Sequence, residues 1–224
     1  KTQPFLRKHL KGVAFDQPTF GRLPEAQVSQ NSALHRMCLV DEVWKKERPG
    51  EKPFHVSIEG PFIAPAREMY FRDEVKRAAY GVRSILILSA YGIEKQFSCV
   101  DLADCADYWG EQQYGGGGVF GRQSELNPHV MCSTVATAIR HLRDMVFEGW
   151  DELPTHNAYS LRYRDAKTGE RMRVMWTLVG KRKVEIRGGG GDGGVLVYDS
   201  MDNVVAQGKE LSLTIGISPV WIRN

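Results

Sequence analysis

The hydrophobic pattern changes period near the middle of the chain, and this limits what it can fold into. Up to about Trp150, apolar residues recur at helical spacing between short apolar runs. From Asn157 onward they alternate with polar residues. A helix-period segment cannot bury its stripe as a strand, and a period of two cannot do so as a helix. The chain therefore divides into an α/β part, residues 1–150, and an all-β part, residues 151–224.

In the first part, LKGVAF (Leu10 to Phe15) reads as a short strand. Ser32 to Lys46 reads as a helix, with Ala33, Met37, Val40 and Trp44 on one face and Asn31 or Ser32 as N-cap. RPGEKP stops it. FHVSI (Phe54 to Ile58) is a second strand, ending at Glu59-Gly60-Pro61. Ala66 to Ala79 is a second helix, with Gly81 suited to its C-terminal cap. ILILS (Ile85 to Ser89) is an uninterrupted apolar run and predicts a strand covered on both faces. A long loop from Tyr91 to Asn127 leads to a helix beginning at Pro128, with Met131, Val135, Ala138 and Leu142 on one face. The order β-α-β-α-β-loop-α indicates a parallel sheet.

In the second part, Tyr159 to Tyr163, Val174 to Leu178, Val184 to Ile186, Val195 to Tyr198, Leu211 to Ile217 and Val220 to Ile222 read as strands. Turn signals separate them: Asp165 to Gly169, the Gly188 to Gly194 run read as a hairpin loop, and Asp202-Asn203. Such spacing indicates an antiparallel β-sandwich. Trp176 alternates with Val174 and Leu178 and is expected in the core. Asp199 is expected to form a turn.

The 224 residues are 42% hydrophobic, with 30 basic and 27 acidic side chains and net charge +3. That balance gives no case for a nucleic-acid or polybasic membrane partner. No apolar run approaches the roughly 18 residues of a membrane-spanning helix. Cys38, Cys99, Cys105 and Cys132 form no CxxC pair, and the six histidines form no HExxH, so no metal site is expected. Cys99 and Cys105 are close enough to bridge a loop; four free thiols are the other reading. No GxSxG elbow occurs. Gly115 to Gly118 lacks the Lys-Ser/Thr of a phosphate loop.

Three strand–helix pairs cannot close a barrel, which needs eight. The α/β part is therefore expected to pack on another chain, or to be the C-terminal part of something longer. Its unpaired apolar faces predict that the isolated chain associates or aggregates.

Several stretches carry a resemblance. FHVSIEGPF looks like a barrel strand ending in a catalytic Glu. MYFRDEVKRAAYGVRSILILSAY looks like the following helix and last strand. YGGGGVFGRQSELNPHVMCSTVATAIRHL looks like a Gly-rich loop, an Asn-Pro and a final helix. YSLRYRDAKTGERMRVMWTL, VLVYDSMDN and SPVWIR look like an appended sandwich. Together they resemble the C-terminal half of a retaining (β/α)8 glycoside hydrolase, nearest to glycoside hydrolase family 39 or a close relative. The resemblance implies half a barrel, strands six to eight, over residues 1–150, then a sandwich over 151–224.

The resemblance also implies retaining hydrolysis of a poly- or oligosaccharide without cofactor, with Glu59 as nucleophile. Asp16 stands where the family often carries a His or Tyr. Tyr91 stands where it often has a Trp as sugar platform, and Trp109 and Tyr114 lie in the loop beyond; these four are the implied substrate contacts. The family's acid/base is an Asn-Glu after strand four, and no Asn-Glu occurs in this sequence. The implied general acid therefore comes from an upstream segment or a second chain. Polysaccharide-acting enzymes are often exported, which implies an extracellular setting. The alternative is a catalytically inactive relative serving as a carbohydrate-binding or assembly subunit.

Overall fold

The computed structural model describes residues 9–18, 24–26, 33–62, 73–97, 119–120, 127–188 and 194–224. The first part of the chain holds three strands, β1 (Gly12–Pro18), β2 (Phe54–Phe62) and the two-residue β3 (Lys95–Gln96), with a 3-10 turn (Pro24–Ala26) and two helices between them. They pair in parallel in the order β1-β2-β3. Gly12 is required where β1 meets β2, because a Cβ there would sit 2.0 Å from the Phe54 carbonyl oxygen.

Helix α1 (Ala33–Glu47) buries Met37 and Trp44 and half-buries Val40, the stripe read from the sequence. It stops where Arg48 donates its backbone N–H to Trp44 and Gly50 takes φ 87°. The Arg48 guanidinium lies 4.7 Å from the Trp44 ring centroid and donates to the Leu10 carbonyl at 2.7 Å. The first helix is thereby tied to the segment preceding β1.

The second helix corrects the sequence reading. α2 runs Glu74–Ala90 and absorbs ILILS, which is therefore not a strand. Asp73 caps it, accepting from the backbone N–H groups of Val75 and Lys76 at 3.1 Å. Residues 77–84 and 86–88 are buried, so the helix is enclosed nearly all round. A short apolar run cannot be assigned to strand or helix by periodicity alone when every side is covered. Gly81 lies inside the helix; the stop comes at Gly92, φ 87°, with Ile93 N–H donating to the Leu88 carbonyl. The third parallel strand is consequently β3.

Helix α3 (Val130–Leu142) starts two residues after Pro128 and buries Met131, Thr134, Thr137, Ala138 and His141. It packs against α2.

The rest of the chain is antiparallel. β4 (Met145–Trp150), β5 (Ala158–Asp165), β6 (Arg171–Thr177), β8 (Val195–Tyr198), β9 (Val204–Gly208) and β11 (Val220–Arg223) form one sheet in the order β4-β5-β6-β11-β8-β9. β7 (Arg182–Arg187) and β10 (Glu210–Ile215) form a separate pair. β4 and β9 were not read from the sequence. The strands flanking the glycine run, β7 and β8, belong to different sheets, so that connection is not a hairpin.

Asp165 and Asp199 form the turns expected of them. Asp165 accepts from the N–H groups of Lys167 and Thr168 at 2.7 Å. Asp199 accepts from Met201 at 2.8 Å and Asn203 at 2.9 Å. Partial burial opposes ionisation of Asp199, but the side-chain and backbone N–H groups of Asn203 and the backbone of Met201 hold its carboxyl below its ordinary value.

Alternation gives the larger sheet two apolar faces. Leu161, Tyr163, Met172, Val174, Trp176 and Trp221 pack on Met37, Val82, Leu86, Leu88 and Ala138 of the helices. Met175, Val195, Val197 and Ile222 pack on Ile186 and Ile215 of the two-stranded pair. Each fully buried Leu or Ile in these clusters contributes about 1.5–3 kcal/mol of transfer free energy. The helices are thus held between the parallel strands and one face of the antiparallel sheet.

Candidate active site

The residue singled out in the sequence, Glu59, lies in β2, five residues after its start at Phe54. Asp16 of β1 pairs in register with Ile58, the residue before Glu59. Neighbouring strands are about 4.8 Å apart. The backbone therefore brings two carboxylate-bearing positions to adjacent places near the carboxyl ends of parallel strands. In open or closed α/β sheets that end is where ligands bind.

The pairing is irregular at this point. Between Asp16↔Ile58 and Pro18↔Phe62, β1 advances two residues and β2 advances four. Bulges of this kind re-aim side chains and are common beside active sites. Gly60-Pro61 supplies the chemistry for it, since Pro cannot donate to a ladder.

Tyr91 is at the other end of the strands. It caps α2 and precedes β3, and a Cβ on its neighbour Gly92 would be 3.7 Å from Lys52 Nζ, before β2 begins. At about 3.3 Å per residue, the distance from Phe54 to Glu59 is about 16 Å along the strand. Tyr91 is therefore separated from Glu59, and its ring instead lies 6.1 Å from that of Trp150. The sequence reading placed it after a strand because ILILS was assigned as one. Trp109 and Tyr114 lie outside the described residues, as do Cys99 and Cys105.

Two polar clusters stand behind these strands, and neither was found from sequence. His55 of β2, 1% exposed, places Nε2 2.7 Å from Asp41 Oδ1 of α1. The His55 backbone N–H donates to Glu94 Oε2 at 2.7 Å, and Lys52 Nζ is 3.8 Å from the other Glu94 oxygen. This cluster fixes the start of β2 against α1 and the residue preceding β3.

The second cluster is more deeply buried. Arg83 of α2 donates from Nε to Glu25 Oε1 at 2.7 Å and from Nη2 to Glu25 Oε2 at 2.5 Å. Trp176 of β6 donates from Nε1 to Glu25 Oε1 at 2.8 Å. The Arg83 guanidinium also lies 4.7 Å from the Tyr80 ring centroid, and Tyr159 stacks on Trp176 at 5.4 Å and 4°. Burial, followed by the charge on Glu25, pushes the Tyr159 phenol above its ordinary value. The one sequence signal for this cluster was an Arg inside the buried stretch Val82 to Leu88. Its acidic partner, 58 residues away, has no local signature.

Among the described residues no group of three His, Cys, Asp or Glu could hold a metal ion, and Cys38 and Cys132 are free thiols. No described helix is long and apolar enough to cross a membrane.

No protein-family model matches the chain, and no curated protein sequence does. Solved structures of similar fold include two polysaccharide-acting enzymes. A GH30 endoxylanase from Clostridium papyrosolvens C71 superimposes with TM-score 0.51 at 8% identity, over 87% of this chain and 46% of that enzyme. CelM2, a bifunctional glucanase-xylanase from a metagenome library, superimposes with TM-score 0.52 at 12% identity, over 96% of this chain and 41% of that protein. The chain spans less than half the length of either. At these identities the likeness is one of fold, and it is to glycoside hydrolases without singling out family 39.

Proposed function

We propose that this chain supplies the nucleophile half of a retaining glycoside hydrolase acting on a polysaccharide of the xylan or glucan type. Its α/β part would be the last strands of a (β/α)8 barrel, and its antiparallel part the appended sandwich. The observation that carries the reading is the place of Glu59 in β2, on a fold similar to that of two polysaccharide hydrolases. In this reading the Glu59 carboxylate attacks the anomeric carbon, and the bond to the leaving oxygen breaks as a carboxylic acid outside this chain protonates it. Water then cleaves the glycosyl-enzyme ester with the configuration retained. Asp16, on the adjacent strand, would hold a sugar hydroxyl. The remaining strands come from an upstream segment or a second chain.

Chemical rescue tests this on the native polypeptide that carries the chain. Glu59→Gly is expected to lose at least about three orders of magnitude in kcat on an aryl xyloside or cellobioside. Azide is expected to restore turnover, giving a glycosyl azide of inverted configuration. Full activity without Glu59 would overturn the assignment. A second reading, an inactive carbohydrate-binding or assembly subunit, is favoured by Asp16-Gln17-Pro18 at the end of β1, where the resembled family often carries a His or Tyr. It would be selected by sugar binding without turnover in the wild-type protein.

A further inference from the structure

We propose that the open half of the outer face of the six-stranded sheet is a binding site for an oxyanion, a carboxylate, sulfate or phosphate group. Met175 and Ile222 on this face are covered by β7 and β10. Beyond them a cleft of about 330 Å³ opens among the described residues, at the low end of ligand-site volumes. Its lining includes four arginines, Arg162, Arg171, Arg173 and Arg187, against two carboxylates, Glu148 and Asp151.

The register concentrates the positive charge. Arg162 on β5 stands directly opposite Arg173 on β6, and Arg164 directly opposite Arg171. Like charges placed opposite one another destabilise a sheet. The carboxylates of the cleft relieve only part of this, and both are already engaged. Asp151 lies 3.1 Å from Arg162 Nε and 3.0 Å from Arg173 Nε, and accepts from Ser160 Oγ at 2.5 Å. Glu148 accepts from Arg164 Nε at 2.7 Å. Ser160 is 1% exposed, so Asp151 is anchored from beneath.

Two guanidiniums are left over. Among the described residues the Arg171 side chain has no partner. Among the described residues Arg187 faces Glu210, at 3.7 Å, where both side chains are more than three-quarters exposed. A pair so open contributes little. The site is also shaped at Gly149, at a bulge in β4 with φ 142°, where a Cβ would be 3.1 Å from Arg162 Nη2. A rigid, planar guanidinium fork fits two oxygens of one oxyanion, and two such forks at the rim of a concavity already lined with cations suit one anionic group.

The test is calorimetric titration of the full chain at low salt with inorganic phosphate, with trigalacturonate and with a neutral trisaccharide. Saturable binding of at least one anion, and none of the neutral sugar, is expected. Arg171→Ala/Arg187→Ala should weaken it at least tenfold, and Arg171→Lys several-fold, because Lys keeps the charge and loses the fork. Both residues are exposed, so the urea midpoint should stay unchanged. In the wild-type protein, anion titration should also move the Nε–H NMR signals of Arg171 and Arg187. A tenfold preference for trigalacturonate assigns an acidic saccharide; equal or tighter phosphate binding assigns a free anion. Absence of saturable binding by either anion, or binding that the double variant retains, overturns the proposal.

Discussion

Trp176 Nε1 donates to Glu25 Oε1 at 2.8 Å across 151 residues of sequence. With Arg83 on the same carboxylate, this bond joins a 3-10 turn, helix α2 and strand β6 at a point where the side chains are 0–4% exposed. Removing one member of a buried ion pair strands the other charge, which costs about 3–5 kcal/mol. Glu25→Ala should therefore lower unfolding free energy by about that much in a urea titration. The double variant Glu25→Leu/Arg83→Met should lose clearly less than the sum of its single changes. Additive losses would mean the pair is not coupled.

Tyr163 presents the opposite case. Its ring is 2% exposed, its hydroxyl has no hydrogen-bond partner among the described residues, and burial pushes its phenol far above the ordinary range. Removing an unsatisfied buried hydroxyl with little change of shape is neutral or stabilising. Tyr163→Phe should leave stability unchanged or raise it by up to about 1 kcal/mol. A loss above about 1 kcal/mol would require a bonded hydroxyl.

His141 makes stability depend on pH. It is 1% exposed, stacked on Trp221 at 4.9 Å, with Nε2 2.9 Å from Asp202 Oδ1. Burial lowers its pKa; the bond to Asp202 opposes this and the charges on Arg223 and Arg140 reinforce it. A depressed folded value means that the unfolded chain binds the proton more readily. His141 therefore favours folding fully above about pH 6.5, its ordinary value, and this contribution declines as pH falls from there toward the folded value. Urea midpoints measured from pH 7.5 to 5 should fall, and His141→Gln should flatten that slope. A midpoint that rises on acidification through this window, and levels off in the variant, would reverse the assignment.

Gly12 sets the approach of β1 to β2. With a Cβ at 2.0 Å from a backbone oxygen, Gly12→Ala has to move one strand. It should destabilise by about 2 kcal/mol or more, at the upper end of overpacking costs. Hydrogen exchange should speed up at Val13 to Phe15 before it does in the antiparallel sheet. Uniform loss of protection would place the strain elsewhere.

The sequence was most legible where one face is wet. Met37, Val40 and Trp44 on α1, and the alternation of Leu161, Tyr163, Val174 and Trp176, follow directly from one-sided burial. It was least legible where everything is covered or nothing is. Ile85 to Leu88 lies in the part of α2 that is enclosed nearly all round, so no period marks it. Val204 and Val205 of the outermost strand β9 are more than half exposed, so no one-sided burial marks that strand in the sequence. Polar pairings such as Asp41 with His55, or Glu25 with Arg83, depend on contacts far apart in the chain and leave no spacing to read. For Glu59 and Asp16, the two strands were legible but their ends were not, since β1 and β2 run on past Phe15 and Ile58, and the register that pairs Asp16 with Ile58 left no local signal.

The nucleophile assignment is the centre of this account, and trapping is its most direct test. Wild-type protein is incubated with a 2-deoxy-2-fluoro xylobiosyl or cellobiosyl fluoride, which forms the glycosyl-enzyme readily and releases it slowly. Proteolysis and mass spectrometry then locate the adduct. The account predicts one glycosyl unit per chain, attached as an ester at Glu59. An adduct on another carboxylate, or turnover of substrate with Glu59 unlabelled, would contradict it.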